Sequence, residues 1–155
     1  MQVRSYAPAD LTPLAQLFDA YRQFNGQPSD LAAGRAFLQQ RVQRAESVIL
    51  VVEHGGALVG FTQLYPVFSS VLLRRAFVVN DLFVAPSSRR QGAGSALLQA
   101  AARYAHQVGA VRITASTATG NTPTQALNEQ NGFARDEAFF VYHRPTDRLQ
   151  PEPSG

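Results

Sequence analysis

The sequence predicts an α/β fold with a mixed sheet, and two observations carry that prediction. The spacing of apolar residues is helical in the first third, strand-like in the middle, and then alternates between helix and strand, with glycines and prolines at the changes. A glycine-bearing loop, Arg89-Arg90-Gln91-Gly92-Ala93-Gly94, also stands between a strand pattern and a helix pattern.

Residues 3–6 alternate like a short strand. Pro8, Asp10 and Pro13 supply helix-start chemistry, and Leu14, Leu17, Phe18, Tyr21 and Phe24 recur at helical spacing behind them. Asn25-Gly26-Gln27-Pro28 breaks that helix; Ser29 or Asp30 caps a second, with Leu31, Phe37, Leu38 and Val42 on its apolar face. Residues 47–53 and 58–65 are β-rich runs joined by His54-Gly55-Gly56-Ala57, which predicts a hairpin that Pro66 ends. A longer strand over 75–84 is closed by Pro86.

Over residues 94–108, Ala96, Leu97, Ala100, Ala101, Tyr104 and Ala105 form a small-residue stripe that can pack closely on a sheet, and Gly109 stops the helix. A strand over 111–116 follows, then a short helix with Pro123 in its first turn, ended by Gly132. Residues 133–144 are expected to hold one or two final strands, and 145–155 a flexible tail. With no repeat or linker, 1–144 is expected to be one domain.

Composition excludes several chemistries. The 155 residues are 45% hydrophobic and 16% charged, which suits a packed core rather than a disordered chain. There is no cysteine, so disulfides, thiolate metal sites and a cysteine nucleophile are ruled out, and His54, His106 and His143 are too scattered to predict a metal cluster. All fourteen basic residues are arginine, spread along the chain to a net charge of +3, which does not favour nucleic acid as a partner. No apolar run is long enough to span a bilayer and no signal-peptide pattern is seen, so the expectation is a cytoplasmic protein with no membrane partner.

The loop at 89–94 is the feature with chemistry in it. The start of a helix carries unpaired N–H groups and the positive end of the dipole, so it attracts phosphate. Gly92 and Gly94 let oxygens approach the backbone, and a neighbouring arginine adds a charge-assisted contact. A nucleoside-triphosphate P-loop requires lysine, which the chain lacks, and a dinucleotide fingerprint requires a third glycine where Leu97 stands.

This segment resembles the Arg/Gln-x-x-Gly-x-Gly/Ala motif of the Gcn5-related N-acetyltransferase superfamily. Asn80-Asp81-Leu82-Phe83-Val84-Ala85-Pro86 is similar to that family's strand before the loop. Asn121 and Ala126-Leu127-Asn128-Glu129-Gln130-Asn131-Gly132-Phe133 resemble its later element, and the likeness covers residues 2–144. The resemblance implies a mostly antiparallel sheet flanked by helices and splayed between the cofactor-binding strand and the next. It implies acetyl-CoA as cosubstrate and no metal. It places the pantetheine arm on Leu82, Phe83 and Val84, and the pyrophosphate on the loop Arg89, Arg90, Gln91, Gly92, Ala93, Gly94 and Ser95, with Asn121 and Asn128 as further contacts.

The implied activity is acetyl transfer to a primary amine, on a small molecule or a protein, by direct attack. Such attack requires a proton acceptor, an oxyanion donor and a proton for the thiolate. Asp81 and Asn80 are the candidates near the site, although strand alternation would present only one of them to the substrate. The family carries tyrosine where this chain has Asn128, and an amide cannot give up a proton at neutral pH, so Tyr65 or Tyr142 are candidate stand-ins. Some relatives use a glutamate where Ser116 stands. Tyr21, Phe24, Tyr65 and Phe68 are the candidate acceptor-site residues. The alternative is a catalytically impaired acyl-CoA-binding sensor or partner module. The final strand, with Phe139-Phe140-Val141, is a candidate to pair two copies into a homodimer.

Overall fold

The structure is a computed structural model describing residues 1–148. Those residues form β1 (Gln2–Ser5), a 3-10 turn (Pro8–Asp10), α1 (Leu11–Phe24), α2 (Leu31–Gln43), β2 (Val48–His54), β3 (Ala57–Ser69) and β4 (Arg74–Val84). A second 3-10 turn (Pro86–Ser88), α3 (Ala93–Gln107), β5 (Ile113–Ala115) and α4 (Thr122–Gln130) complete them. The strands lie side by side in chain order; every neighbouring pair is antiparallel except β4 and β5, which are parallel. Among the described residues no helix is long and apolar enough to cross a membrane.

Both faces of the sheet are covered, which explains why β2 is almost continuously apolar. Leu50 and Val52 turn toward α3, where Leu97, Leu98, Ala101 and Ala105 pack on Phe77 and Val79. Ile49 and Val51 turn the other way, with Leu14 and Phe18 of α1 and Leu38 of α2. Asp30 caps α2, its carboxylate accepting from the Ala33 N–H, whereas the Ser29 hydroxyl donates to Asp19.

Pro66 does not end the second hairpin strand. β3 runs through it to Ser69, with Pro66 opposite Phe77 of β4. The Phe77 N–H donates to Arg112 O on the far side of β4, so Phe77 and Pro66 form a non-hydrogen-bonded pair. The proline nitrogen then faces away from β4, on a side where β2 has already ended at the Val48–Leu64 pair, and no ladder bond is missing.

The strands expected over 133–144 are not formed either. The Asp136 carboxylate accepts from the Ala138 and Phe139 N–H groups, making a local turn where a strand would need ladder partners. Phe139, Phe140, Val141 and Tyr142 are all exposed. The flexible tail expected over 145–155 lies largely outside the described residues.

Gly60 fixes how closely β3 approaches β4. A Cβ there would stand 2.7 Å from Phe83 O, 3.1 Å from Val52 Cγ1 and 3.2 Å from Val84 Cγ2. The nearest atom is backbone and cannot swing aside. Gly60→Ala is therefore expected to cost about 1–3 kcal/mol, a melting temperature lower by roughly 3–10 °C by calorimetry.

Candidate active site

The loop after β4 has a backbone that few residues tolerate. Arg90 has φ 62° and Gly92 has φ 86°, so left-handed residues alternate with ordinary ones just before α3. Such alternation turns successive N–H groups toward one side, and here the first turn of α3 adds its own unpaired N–H groups. Gly92 is the N-cap and offers no side-chain acceptor, which leaves those donors open to an anion.

Gly94 has a second duty beyond that expected of it. A Cβ there would meet Leu127 Cδ2 of α4 at 3.0 Å. Ser95 ties the same two helices, its hydroxyl accepting from Asn131 Nδ2 at 3.0 Å, while Asn131 Oδ1 accepts from Gln99. Arg89 turns back from the loop: its Nε donates to Val84 O at 2.9 Å, and its guanidinium lies over Phe24 and Phe83.

The sheet opens beside this loop. β4 is paired with β3 as far as Val84, but with β5 only as far as Val79. Beyond that point the edge of β4 that faced β5 has no strand partner among the described residues, as the splayed arrangement requires. Across the gap, Asn128 Nδ2 donates to Thr117 Oγ1 at 2.9 Å, and Asn121 caps α4 by accepting from the Thr124 N–H. Both asparagines thus have structural duties on the α4 side, and neither lines the cavity that holds Asp81.

A bulge at the same point of β4 determines what faces the other side. Gln63 opposes Asp81 and Leu64 opposes Val79, so Asn80 is an extra residue. Phe77 and Val79 therefore face α3, whereas Phe83 packs with Phe61 on the α1 side. Strict alternation would have put only one of Asn80 and Asp81 on the substrate face; the bulge brings both to one cavity of about 320 Å³ beneath α1 and α2. Tyr21 and Tyr65 stand in its wall as well. Phe24 and Phe68 do not: Phe24 lies beside Arg89, and Phe68 is 73% exposed near the hairpin end with Arg75 over its ring. Tyr142, at 88% exposure, is not part of that wall either.

Asp81 is 3% exposed. It accepts from Gln63 Nε2 and from Asn80 Nδ2, and Gln63 Oε1 in turn accepts from the Ser47 hydroxyl. Its carbonyl takes the Thr62 hydroxyl. The Tyr21 hydroxyl donates to Asn80 O at 3.3 Å. Burial, reinforced by the Asp81 charge, pushes the Tyr65 phenol up to about 12 and raises that of Tyr21 further, so both stay protonated at neutral pH.

The sequence reading did not single out Gln63, Ser47, Asn131 or Arg22. A glutamine inside an apolar strand was the available signal for the first, since a buried amide needs partners. Among the described residues no cluster of three His, Asp or Glu side chains could hold a metal. A larger hollow of about 520 Å³ lies at the β2–β3 hairpin, walled by Asp10, Glu53 and Leu58; it receives nothing from the loop.

Fold and comparisons together define an acyltransferase of the class that moves groups other than aminoacyl groups. A profile of the acetyltransferase (GNAT) family matches residues 12–133, and the chain belongs to that family. Acetyl-CoA is the acyl donor that family generally uses. The protein named "Uncharacterized N-acetyltransferase YhfO" of Bacillus subtilis is 46% identical over 142 residues, covering 92% of this chain and 95% of its own length. A "Probable acetyltransferase" of Haemophilus influenzae is 31% identical over 121 residues, 77% of this chain and 81% of its own. The crystal structure of a probable acetyltransferase superposes with a TM-score of 0.91 at 39% identity, covering 94% of this chain and 98% of that one.

Proposed function

We propose that this protein is an N-acetyltransferase that moves the acetyl group of acetyl-CoA to a primary amine, on a small molecule or a protein, by direct attack. One observation carries the reading: the same stretch of β4, residues 80–84, presents an unpaired backbone edge beside the loop that leads into α3 and a buried carboxylate on the α1 side. A donor and an acceptor approaching from those two sides would meet at this stretch.

The loop residues Arg90 to Ser95 supply N–H groups for a pyrophosphate, and the cradle at Gly92 has nothing within 4 Å of where a Cβ would stand. When bound, acetyl-CoA supplies an activated thioester carbonyl. The open edge of β4 offers the Leu82 and Val84 N–H groups to the pantetheine amides and to the oxyanion, whereas the Phe83 N–H faces β3. Asp81 accepts a proton from the acceptor ammonium, directly or through a water that Asn80 holds in place, and so exposes the nitrogen lone pair.

Attack forms the C–N bond and breaks the C–S bond, and the thiolate takes a proton. Asn128 cannot give that proton, and its amide is already engaged with Thr117. Tyr65 and Tyr21 are the protonated phenols in the cavity wall beside Asp81. The reading carries with it a cytoplasmic location. The exposed run Phe139-Phe140-Val141 supports association of two copies.

The test is incubation of the purified protein with acetyl-CoA and a panel of amines, with a thiol reagent reporting released CoA and calorimetry reporting CoA binding. Acceptor-dependent thiol release is the expected result. Tight CoA binding with turnover at background across the panel would favour the sensor reading that Asn128 raises. Absence of CoA binding would overturn the proposal.

A further inference from the structure

We infer that the acceptor is a small amine that also carries a carboxylate, of the amino-acid class, and that Arg22 reads the carboxylate. The inference rests on the transferase reading and concerns the cavity beneath α1 and α2.

Charge balance in that cavity is the first observation. Its wall holds one carboxylate, Asp81, and one guanidinium, Arg22, together with the rings of Phe18, Tyr21 and Phe37. A second guanidinium, Arg41, lies over the Phe37 ring at 4.5 Å. A site for a polycation would need several carboxylates to offset the charge it takes out of water. This one has a single negative group, already placed to meet one ammonium.

The second observation is an unmet donor. Arg22 Nη1 is shielded from solvent and has no hydrogen-bond partner among the described residues. Buried polar groups in folded proteins are nearly always partnered, and an exception calls for a missing acceptor. The neighbouring carboxylate that would ordinarily serve is Asp19, three residues earlier on α1. Asp19 is occupied by the Ser29 hydroxyl, the Asp30 N–H and the Gln23 amide. The Ser29 hydroxyl, the Asp30 N–H and the Arg22 charge together hold the Asp19 carboxyl below its ordinary value, so Arg22 has an ionic neighbour in Asp19 but no acceptor for Nη1 among the described residues of the cavity wall.

Guanidinium suits this task because its planar fork matches a carboxylate. An acceptor with its ammonium at Asp81 and its carboxylate at Arg22 would be fixed at two points. Its side chain would then rest against the aromatic rings. The volume of about 320 Å³ corresponds to roughly ten waters of liquid, which suits a molecule of amino-acid size.

Matched pairs test this. Phenylalanine against phenethylamine, and leucine against isopentylamine, differ by the carboxylate alone; spermidine serves as the polycation. The carboxylated member of each pair is expected to show about ten- to a hundredfold higher kcat/KM. Arg22→Gln should bring that ratio close to one, and Arg22→Lys should restore part of it. Calorimetric titration of phenylalanine and phenethylamine reads the cavity without chemistry, and phenylalanine should bind more tightly. Equal binding of the two, a ratio unchanged by Arg22→Gln, or a preference for spermidine would each overturn the inference and leave the transferase standing. Failure of the transferase reading shows separately, as loss of CoA binding.

Discussion

Asp81→Asn is expected to lower kcat by about two to four orders of magnitude while CoA affinity changes by no more than a few-fold. The separation follows from geometry. The Asp81 side chain lies on the α1 side of β4, whereas CoA is expected to contact the backbone of the opposite edge and the loop beyond it. The fold should tolerate the change because the network around Asp81 can reverse. Gln63 now donates to Asp81 and accepts from Ser47. If the Gln63 amide flips, its oxygen accepts from the amide introduced in place of the carboxylate, and its nitrogen donates to the Ser47 oxygen, which can act either way. The Asn80, Gln63 and Ser47 contacts are then all kept, with two of them reversed. The stability loss should be no more than about 1 kcal/mol, seen as a shift of roughly 2–4 °C in melting temperature. Rapid-quench or steady-state thiol release with calorimetric CoA titration measures the pair of effects. A kcat within tenfold of the parent protein would mean that Asp81 organises the strand and that the proton leaves by another route.

The network around Asp81 also shows where reading the sequence stops. Features governed by a few neighbouring residues were legible: the glycine-bearing loop at Gly92, the helix behind it, a cap for α2 at Ser29 or Asp30 and the closing of β4 at Pro86. The bulge at Asn80 was not, because Val78-Val79-Asn80-Asp81-Leu82-Phe83 fits an unbroken strand equally well. Only the pairing with β3 shows the extra residue, and that single slip brings both Asn80 and Asp81 to the cavity. Pro66 misled for a related reason. A proline stops a strand flanked on both sides, and the sequence does not reveal that β2 ends before reaching it. The apolar run over 139–142 resembled a strand by its residues, yet it has no ladder partner in the described chain. Arg22 was overlooked because the lack of an acceptor for its Nη1 depends on Ser29 and Asp30, which reach Asp19 from the loop before α2.

Ser95→Asp tests the loop by moving stability and affinity in opposite directions. Ser95 is the third residue of α3, counted from the N-cap Gly92. A carboxylate in the first turn of a helix meets the positive end of the dipole and should add about 0.3–1 kcal/mol of stability. It can also keep the existing contact, since an aspartate oxygen accepts from Asn131 Nδ2 as the serine oxygen does. The same charge occupies the field that the pyrophosphate of CoA is proposed to use. Losing or opposing one charge-assisted contact there should weaken CoA binding by about ten- to a hundredfold. Ser95→Ala separates charge from hydroxyl: it should weaken the link to α4 slightly and leave CoA affinity within a few-fold. Thermal melting with and without CoA gives both quantities in one experiment, because a ligand raises the melting temperature only as far as it binds the folded state. A higher melting point alone with a smaller CoA-induced shift is the expected signature. An aspartate variant that binds CoA as tightly as the parent protein would show that the phosphates do not sit at the start of α3.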